Sequence, residues 1–178
     1  MLYFITSNPH KYAEIQKMTH ITIEQNPMGY PEIQADTLEA VAEFGIDFCY
    51  AQVKTPCFIE DSGLFIDALS GFPGVYSSYV YTTIGCDGIL KLVSHDRKAY
   101  FKSVIAYKDR SGTAMFTGVV PGTIAPHKKG GKGFGFDPIF IPEGEPETFA
   151  QMSTEQKNLY SHRGKAFKTF MNYLEQVR

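Results

Sequence analysis

Apolar and polar positions along this chain follow two periods, and the switches between them mark its elements. Leu2-Tyr3-Phe4-Ile5 is a short apolar run that predicts a first strand. Thr6-Ser7-Asn8-Pro9-His10-Lys11 is polar, and Tyr12, Ile15 and Met18 then recur at a spacing of three. That pattern predicts a helix with Asn8 as N-cap and Pro9 in its first turn. Ile21-Thr22-Ile23 predicts a second strand, followed by turn residues Asn26-Pro27-Met28-Gly29. Asp36-Thr37-Leu38-Glu39 has capping-box spacing with Asp36 as N-cap. It opens a helix to about Ala51, with Leu38, Val41, Ala42, Gly45 and Phe48/Cys49 on one face. Phe58-Ile59-Glu60-Asp61-Ser62-Gly63-Leu64 then reads as a buried strand whose carboxyl end delivers two carboxylates, with Gly63 for a sharp turn or a close ligand.

Further along, Val75 to Tyr81 carries Tyr76, Tyr79 and Tyr81, which could line a subunit contact or pack within the chain. Gly85 to Leu92 predicts a helix with Ile84, Ile89, Leu92 and Val93 inward. Ala99 to Tyr107 alternates cleanly, and Thr113 to Ile124 returns after the turn at Asp109-Gly112 with an interruption at Pro121-Gly122. The pair predicts an antiparallel hairpin. Pro138 to Ile141 predicts a short strand, and Ser153 to Asn158 a capped turn. Ser161 caps a last helix whose inner face is Ala166, Phe167, Phe170, Leu174 and Val177. The alternating opening predicts an α/β sheet with an antiparallel extension, and with no visible linker or repeat the expectation is one domain over residues 1–178.

Composition changes this picture little. A formal net charge of −2 gives no global reason to bind nucleic acid or a membrane, so any anion site must be local. Cys49, Cys57 and Cys86 lack metal-type spacing and read as small buried residues in a reducing compartment. The run Leu2–Ile5 is too short for a signal-peptide core, and no run reaches membrane length. A cytoplasmic protein is expected.

Candidate chemistry concentrates in four places. Glu60 and Asp61 point to opposite faces of a strand, so one could hold a metal while the other meets a water. The strand-to-helix junction at Thr6–Lys11 offers hydroxyls, N–H groups and a lysine; a bound phosphate would explain Lys11, and an exposed lysine is the alternative. The loop His127–Pro138 combines Lys128, Lys129 and Lys132 with four glycines and Phe134-Gly135-Phe136-Asp137, a set suited to a phosphorylated ligand with a flat ring. Lys128 and Lys129 read as solvated. His162 and Arg163 load a second helix start with donors. Glu32, taken alone, is an exposed loop carboxylate.

The ordered blocks T-S-N-P-H-K, E-D-S-G-L with G-F-P-G-V-Y-S, G-F-G-F-D-P-I-F, and K-N with S-H-R-G-K-A span nearly the whole chain. Together they resemble the inosine/xanthosine triphosphate pyrophosphatase family. The resemblance implies a long mixed β-sheet with flanking helices in two lobes around a central substrate cleft, and a homodimer. It implies Mg²⁺-dependent hydrolysis of ITP, dITP and XTP to monophosphate and pyrophosphate, which keeps deaminated purines out of nucleic acids. Carried over residue by residue, Thr6, Ser7, Asn8 and Lys11 match the phosphate-binding motif. Glu32 and Glu60 match metal carboxylates, Asp61 the catalytic acidic residue with a share in the metal, and Ser62 a substrate contact. Phe134, Gly135, Phe136 and Asp137 match the block that holds the base, Lys157 a substrate lysine, and His162 and Arg163 the final substrate-binding pair. Two positions depart: Ser7 stands where the family often has Gly, and Gln151 where an acidic residue is usual.

On this reading water attacks the α-phosphorus, Asp61 orients or deprotonates it, and Lys11 and Lys157 stabilise the leaving pyrophosphate. A donor from Arg163, or from a suitably protonated His162, would favour a 6-oxo purine over adenine, and Phe134 would stack on the base. Three rivals stay open. One is a nucleic-acid-binding module using Lys128–Lys132 with Phe134 and Phe136. Another is a nucleotide sensor without turnover, and the third is a broader nucleotide phosphohydrolase.

Overall fold

The computed structural model describes residues 1–176, so Val177, assigned above to the inner face of the last helix, lies outside the described residues. The elements are β1 (Leu2–Ile5), α1 (Pro9–Gln16), β2 (Ile23–Asn26), α2 (Leu38–Val53), β3 (Cys57–Ile66), α3 (Ser77–Thr83), α4 (Gly85–Leu92), β4 (Lys98–Asp109), β5 (Gly112–Ile124), β6 (Phe140–Pro142), α5 (Thr154–Tyr160) and α6 (His162–Gln176). The strands form one mixed sheet in the order β2-β1-β3-β4-β5-β6. β1 runs parallel to β2 and β3, and every later pair is antiparallel.

Side-chain alternation along β3 sorts the packing. Phe58 faces α1 and α6, where it stacks on Phe4 at 4.5 Å and meets Phe170 at 4.9 Å. Ile59 faces the other way, into the cluster of Leu38, Ala42, Ile46 and Cys49 from α2. A third cluster fills the far end of the sheet, where Leu64, Ile66, Phe101, Phe136, Phe140 and Phe149 meet α4. Apolar area on both faces and at the far end therefore closes around β3 and β4. Helix α6 lies so close to β5 that a side chain on Gly118 would strike the His162 carbonyl, so this contact requires glycine.

Several sequence expectations change. β3 does not end at Glu60-Asp61. It pairs with β4 from Cys57↔Lys108 to Ile66↔Ala99, because a long antiparallel partner satisfies its backbone throughout. Gly63 makes no sharp turn; it lies within the long strand, lines the cavity described below and lets the Gly74 carbonyl pack against the strand. The N-cap of α2 is Thr37, whose hydroxyl accepts the Ala40 N–H at 3.2 Å, one residue beyond Asp36. β2 begins at Ile23, in register with Leu2, and Met18 falls beyond the end of α1. β5 is continuous through Pro121-Gly122, since the Pro121 carbonyl still accepts from Glu143 N at 2.9 Å. Of the residues expected to face inward around α4, Ile89 and Val93 do so, while Ile84 and Leu92 are about half exposed at 43% and 50%. The short last strand starts at Phe140, after a single 3₁₀ turn at Asp137–Ile139.

The three cysteines are free and buried, and burial pushes the thiols of Cys49, Cys57 and Cys86 up to about 11, about 12 and about 11. They are packing residues. Among the described residues no helix is long and apolar enough to cross a membrane.

Candidate active site

β1 stops at Ile5, but its neighbour β3 continues for several residues. α1 departs onto one face, and the connection through α2 returns on the other. The crevice beyond the carboxyl end of β1 is thus the place where the chain changes face, the usual ligand position in an α/β sheet. A cavity of about 660 Å³ opens there, within the range of small-molecule sites. It is lined by Thr6, Ser7, Asn8, Lys11, Glu32, Glu60, Asp61, Ser62, Phe134, Gly135, Phe136, Asp137, Lys157, His162 and Arg163. Every site residue expected from the sequence lines this one cavity.

Their connections differ from the expectation. Glu60 is fully buried. Ser103 Oγ donates to it at 2.5 Å, Lys11 Nζ lies 2.9 Å away, and Arg163 Nη2 3.3 Å away. Burial opposes ionisation of Glu60, but Arg163 and Lys11 outweigh it and hold its carboxyl well below the usual carboxylate range. Lys11 also donates to the Glu60 carbonyl at 2.8 Å, so it is tied to the strand and not a solvated lysine. The N–H groups of His10 and Lys11 both go to Asn8 Oδ1 at 2.9 and 3.3 Å, and Thr6 Oγ1 accepts the Asn8 N–H. The α1 terminus is therefore closed by its own cap, and a phosphate there would have to compete with it.

The centre of the network is Glu14, a residue the sequence reading passed over. It sits on the inner face of α1, 5% exposed. One oxygen accepts from Lys157 Nζ at 2.7 Å and the other from Arg163 Nη1. Lys157 also binds Asp137 at 2.6 Å, and Asp137 accepts the Phe134 N–H at 2.8 Å. Burial raises Glu14, yet Arg163 and Lys157 bring it below its ordinary value; Asp137 is raised by burial, against the pull of Lys157. Only the spacing of three from Lys11 hinted at Glu14, since a carboxylate on the apolar side of a helix needs a buried cation. Arg163, 1% exposed, bridges Glu14, Glu60 and the Ser62 hydroxyl at 3.2 Å. The expectation that the α6 terminus waits for an anion is thus revised, because the two glutamates already answer its charge.

Lys11, Lys157 and Arg163 face Glu14, Glu60 and Asp137, three charges of each sign. His162 adds none. Burial, helped by Arg163, holds it well below its usual range, and it stacks as a neutral ring on Phe101 at 4.6 Å. Burial and the neighbouring Arg163 thus disfavour the imidazolium considered for base selection. Asp61 and Glu32 remain as surplus negative charge. Asp61 Oδ2 is buried without a partner. Burial, with the charges of Glu60 and Glu32 behind it, pushes Asp61 up to about 6 despite Lys11. An orphaned carboxylate oxygen beside a second acidic residue fits a divalent cation. Glu60, spoken for by three donors, does not fit as its ligand. Among the described residues no three acidic, His or Cys side chains form a closed metal cage.

The glycine-rich loop is more fixed than its composition suggests. Lys128 pairs with Asp87 at 2.9 Å, and Lys132 reaches the Gln151 carbonyl at 3.4 Å. Gln151, at the position where the resemblance expects an acid, accepts from Thr148 N at 3.0 Å and so serves the loop. Phe136 is 4% exposed and packs edge-on against Tyr81. Only Phe134 keeps a ring accessible, with Lys157 Nζ 4.8 Å and Arg163 Cζ 5.3 Å from its centroid. A strand-binding row of stacked bases needs more than one open ring, so the nucleic-acid rival loses its platform.

The model of the Ham1 family matches residues 2–173. The chain belongs to the Ham1 family. Its relatives include the dITP/XTP pyrophosphatases of Thermococcus kodakarensis, 55% identical with 98% of this chain and 97% of that protein covered, and of Pyrococcus horikoshii, 54% identical with 98% and 96% covered. The Ham1 protein of Staphylococcus aureus superposes with a TM-score of 0.86 at 28% identity over the whole of both chains. The HAM1 protein of Coxiella burnetii gives 0.85 at 29%, covering 99% of this chain and all of that one. This Ham1 chain therefore shares the mixed sheet of its family from end to end, as the ordered motifs implied.

Proposed function

We propose that this chain hydrolyses non-canonical purine nucleoside triphosphates, such as dITP, ITP and XTP, to the monophosphate and pyrophosphate. The observation that carries the reading is the division of charge in the cavity: a balanced buried network beside one unpartnered, acidic Asp61 oxygen. Its archaeal relatives named dITP/XTP pyrophosphatase support the substrate class.

A triphosphate brings roughly four negative charges, which an acidic cavity mouth accepts only with a counter-ion. Asp61 and Glu32 would hold Mg²⁺, which when bound screens the phosphates and acidifies a coordinated water. Asp61 accepts a proton from the attacking water, a role its unpartnered Oδ2 leaves open to it. Ser7 and Lys11 line the phosphate end of the cavity, and Phe134 the base end. Arg163 Nε lacks a partner although it is buried, so a purine 6-oxo group satisfies it while an adenine amine does not. Glu60, Glu14 and Asp137 hold the cations in place. Homodimer formation belongs to the same reading: Tyr76, Tyr79 and Tyr81 are 44%, 70% and 41% exposed on one segment, an aromatic surface suited to a second subunit. A cytoplasmic setting is where such substrates arise.

The test is product analysis with ITP, XTP, GTP and ATP, each with Mg²⁺ and with EDTA. Monophosphate plus pyrophosphate from ITP and XTP, scarce from ATP and GTP and abolished by EDTA, is expected. Diphosphate plus orthophosphate would move the attack to the γ-phosphorus, and binding without products would make the chain a sensor.

A further inference from the structure

The ring of Phe134 is not bare. His10, the second residue of α1, stacks on it with centroids 5.3 Å apart and planes within 16°. Both rings line the cavity. Lys157 and Arg163 also lie near the Phe134 ring, but they are buried and tied to Glu14, 3% and 1% exposed. His10 is exposed, and among the described residues its imidazole makes no hydrogen bond, so it is the neighbour free to move. Of the groups stacked on Phe134, His10 is thus the one that can give way to a flat base. Two rings that clamp a third need roughly 7 Å between their centroids, about two stacking distances. The present separation falls short by less than 2 Å, which a side-chain rotation supplies without moving the helix; the backbone N–H of His10 stays capped by Asn8.

We propose that His10 is a binding residue for the purine ring: it swings off Phe134 and closes over the base, which is held between the imidazole and the phenyl ring. This rests on the substrate class proposed above. The capped start of α1 then gives the base a second aromatic wall from the same turn that approaches the phosphates. Stacking acts on the base and not on the reacting phosphorus, so it stabilises the bound substrate and the transition state alike.

Steady-state hydrolysis of ITP and equilibrium binding of ITP, each with Mg²⁺, are compared for wild type, His10→Ala and His10→Phe. Removal of one base-stacking ring is expected to raise KM and the dissociation constant about 5- to 150-fold, with kcat holding. His10→Phe restores both. Inhibition by inorganic tripolyphosphate, which has no base, keeps the same constant in all three proteins. An unchanged or lowered KM in His10→Ala overturns the proposal, because the imidazole then only covers Phe134. Equal weakening of tripolyphosphate assigns His10 to the phosphates and overturns it too. If wild type turns over no purine triphosphate, the functional reading fails by itself, and the binding comparison still decides the role of His10.

Discussion

Glu60 and Asp61 are adjacent on β3, yet one carboxyl is held well below the usual carboxylate range while the other is pushed up to about 6. Strand alternation makes the difference. Glu60 shares its face with Ser62 and turns toward Arg163, and Asp61 turns the other way, toward the Glu32 side. One carboxylate is thereby fixed as a counter-ion, and its neighbour keeps an oxygen without a partner.

This split has a cost that can be measured at Asp61. Between about pH 4 and pH 6 the unfolded chain has lost the Asp61 proton and the folded chain keeps it, so stability falls as pH rises through that window. Above it the loss is complete, up to about 3 kcal/mol for a shift of roughly two units. Asp61→Asn should therefore raise the melting temperature of the metal-free protein at pH 7, and the gain should vanish near pH 4. Mg²⁺ should stabilise the wild type more than the variant, which keeps Glu32. Calorimetry at both pH values checks each part.

Glu60→Gln should do the reverse. It takes one buried counter-charge from Arg163 and Lys11, leaving Arg163 with Glu14 and Lys11 with the residue-60 carbonyl, so the loss should fall below the about 3–5 kcal/mol of a buried ion left with no partner. The wild-type contribution is present above the unfolded carboxyl value and is lost as pH falls through the lower folded one. Denaturation curves at pH 7 should show the full deficit for the variant, and the two proteins should converge only in strong acid.

Gly118→Ala tests whether α6 must lie directly on β5. The added methyl meets the His162 carbonyl and the Ala166 N–H, backbone atoms that cannot rotate away. A loss of about 1–3 kcal/mol is expected. ITP affinity should fall with it, since α6 carries His162 and Arg163. A variant as stable and as tight as wild type would remove this contact from the account.

Strand and helix positions were legible because periodicity and caps are local: Asn8, Ser153 and Ser161 all cap as their spacing suggests. The site residues were legible as a set because the motifs are ordered, and the cavity gathers them. Their wiring was not. Lys11 and Arg163 look like anion ligands in sequence, because nothing there shows that they meet Glu60 across 49 and 103 residues. Glu14 was missed for the same reason: its partners, Lys157 and Arg163, stand 143 and 149 residues away. The extent of β3 was also underestimated, because its partner strand, not its own composition, carries it past the carboxylates.

The central claim is that Asp61, and not Glu60, handles the water. Its most direct test is ITP turnover by Asp61→Asn at saturating Mg²⁺, with folding checked by calorimetry and ITP binding measured beside it. The account predicts a folded variant that still binds ITP and loses about 10²- to 10⁴-fold in kcat. A folded variant that turns over ITP at the wild-type rate would contradict it.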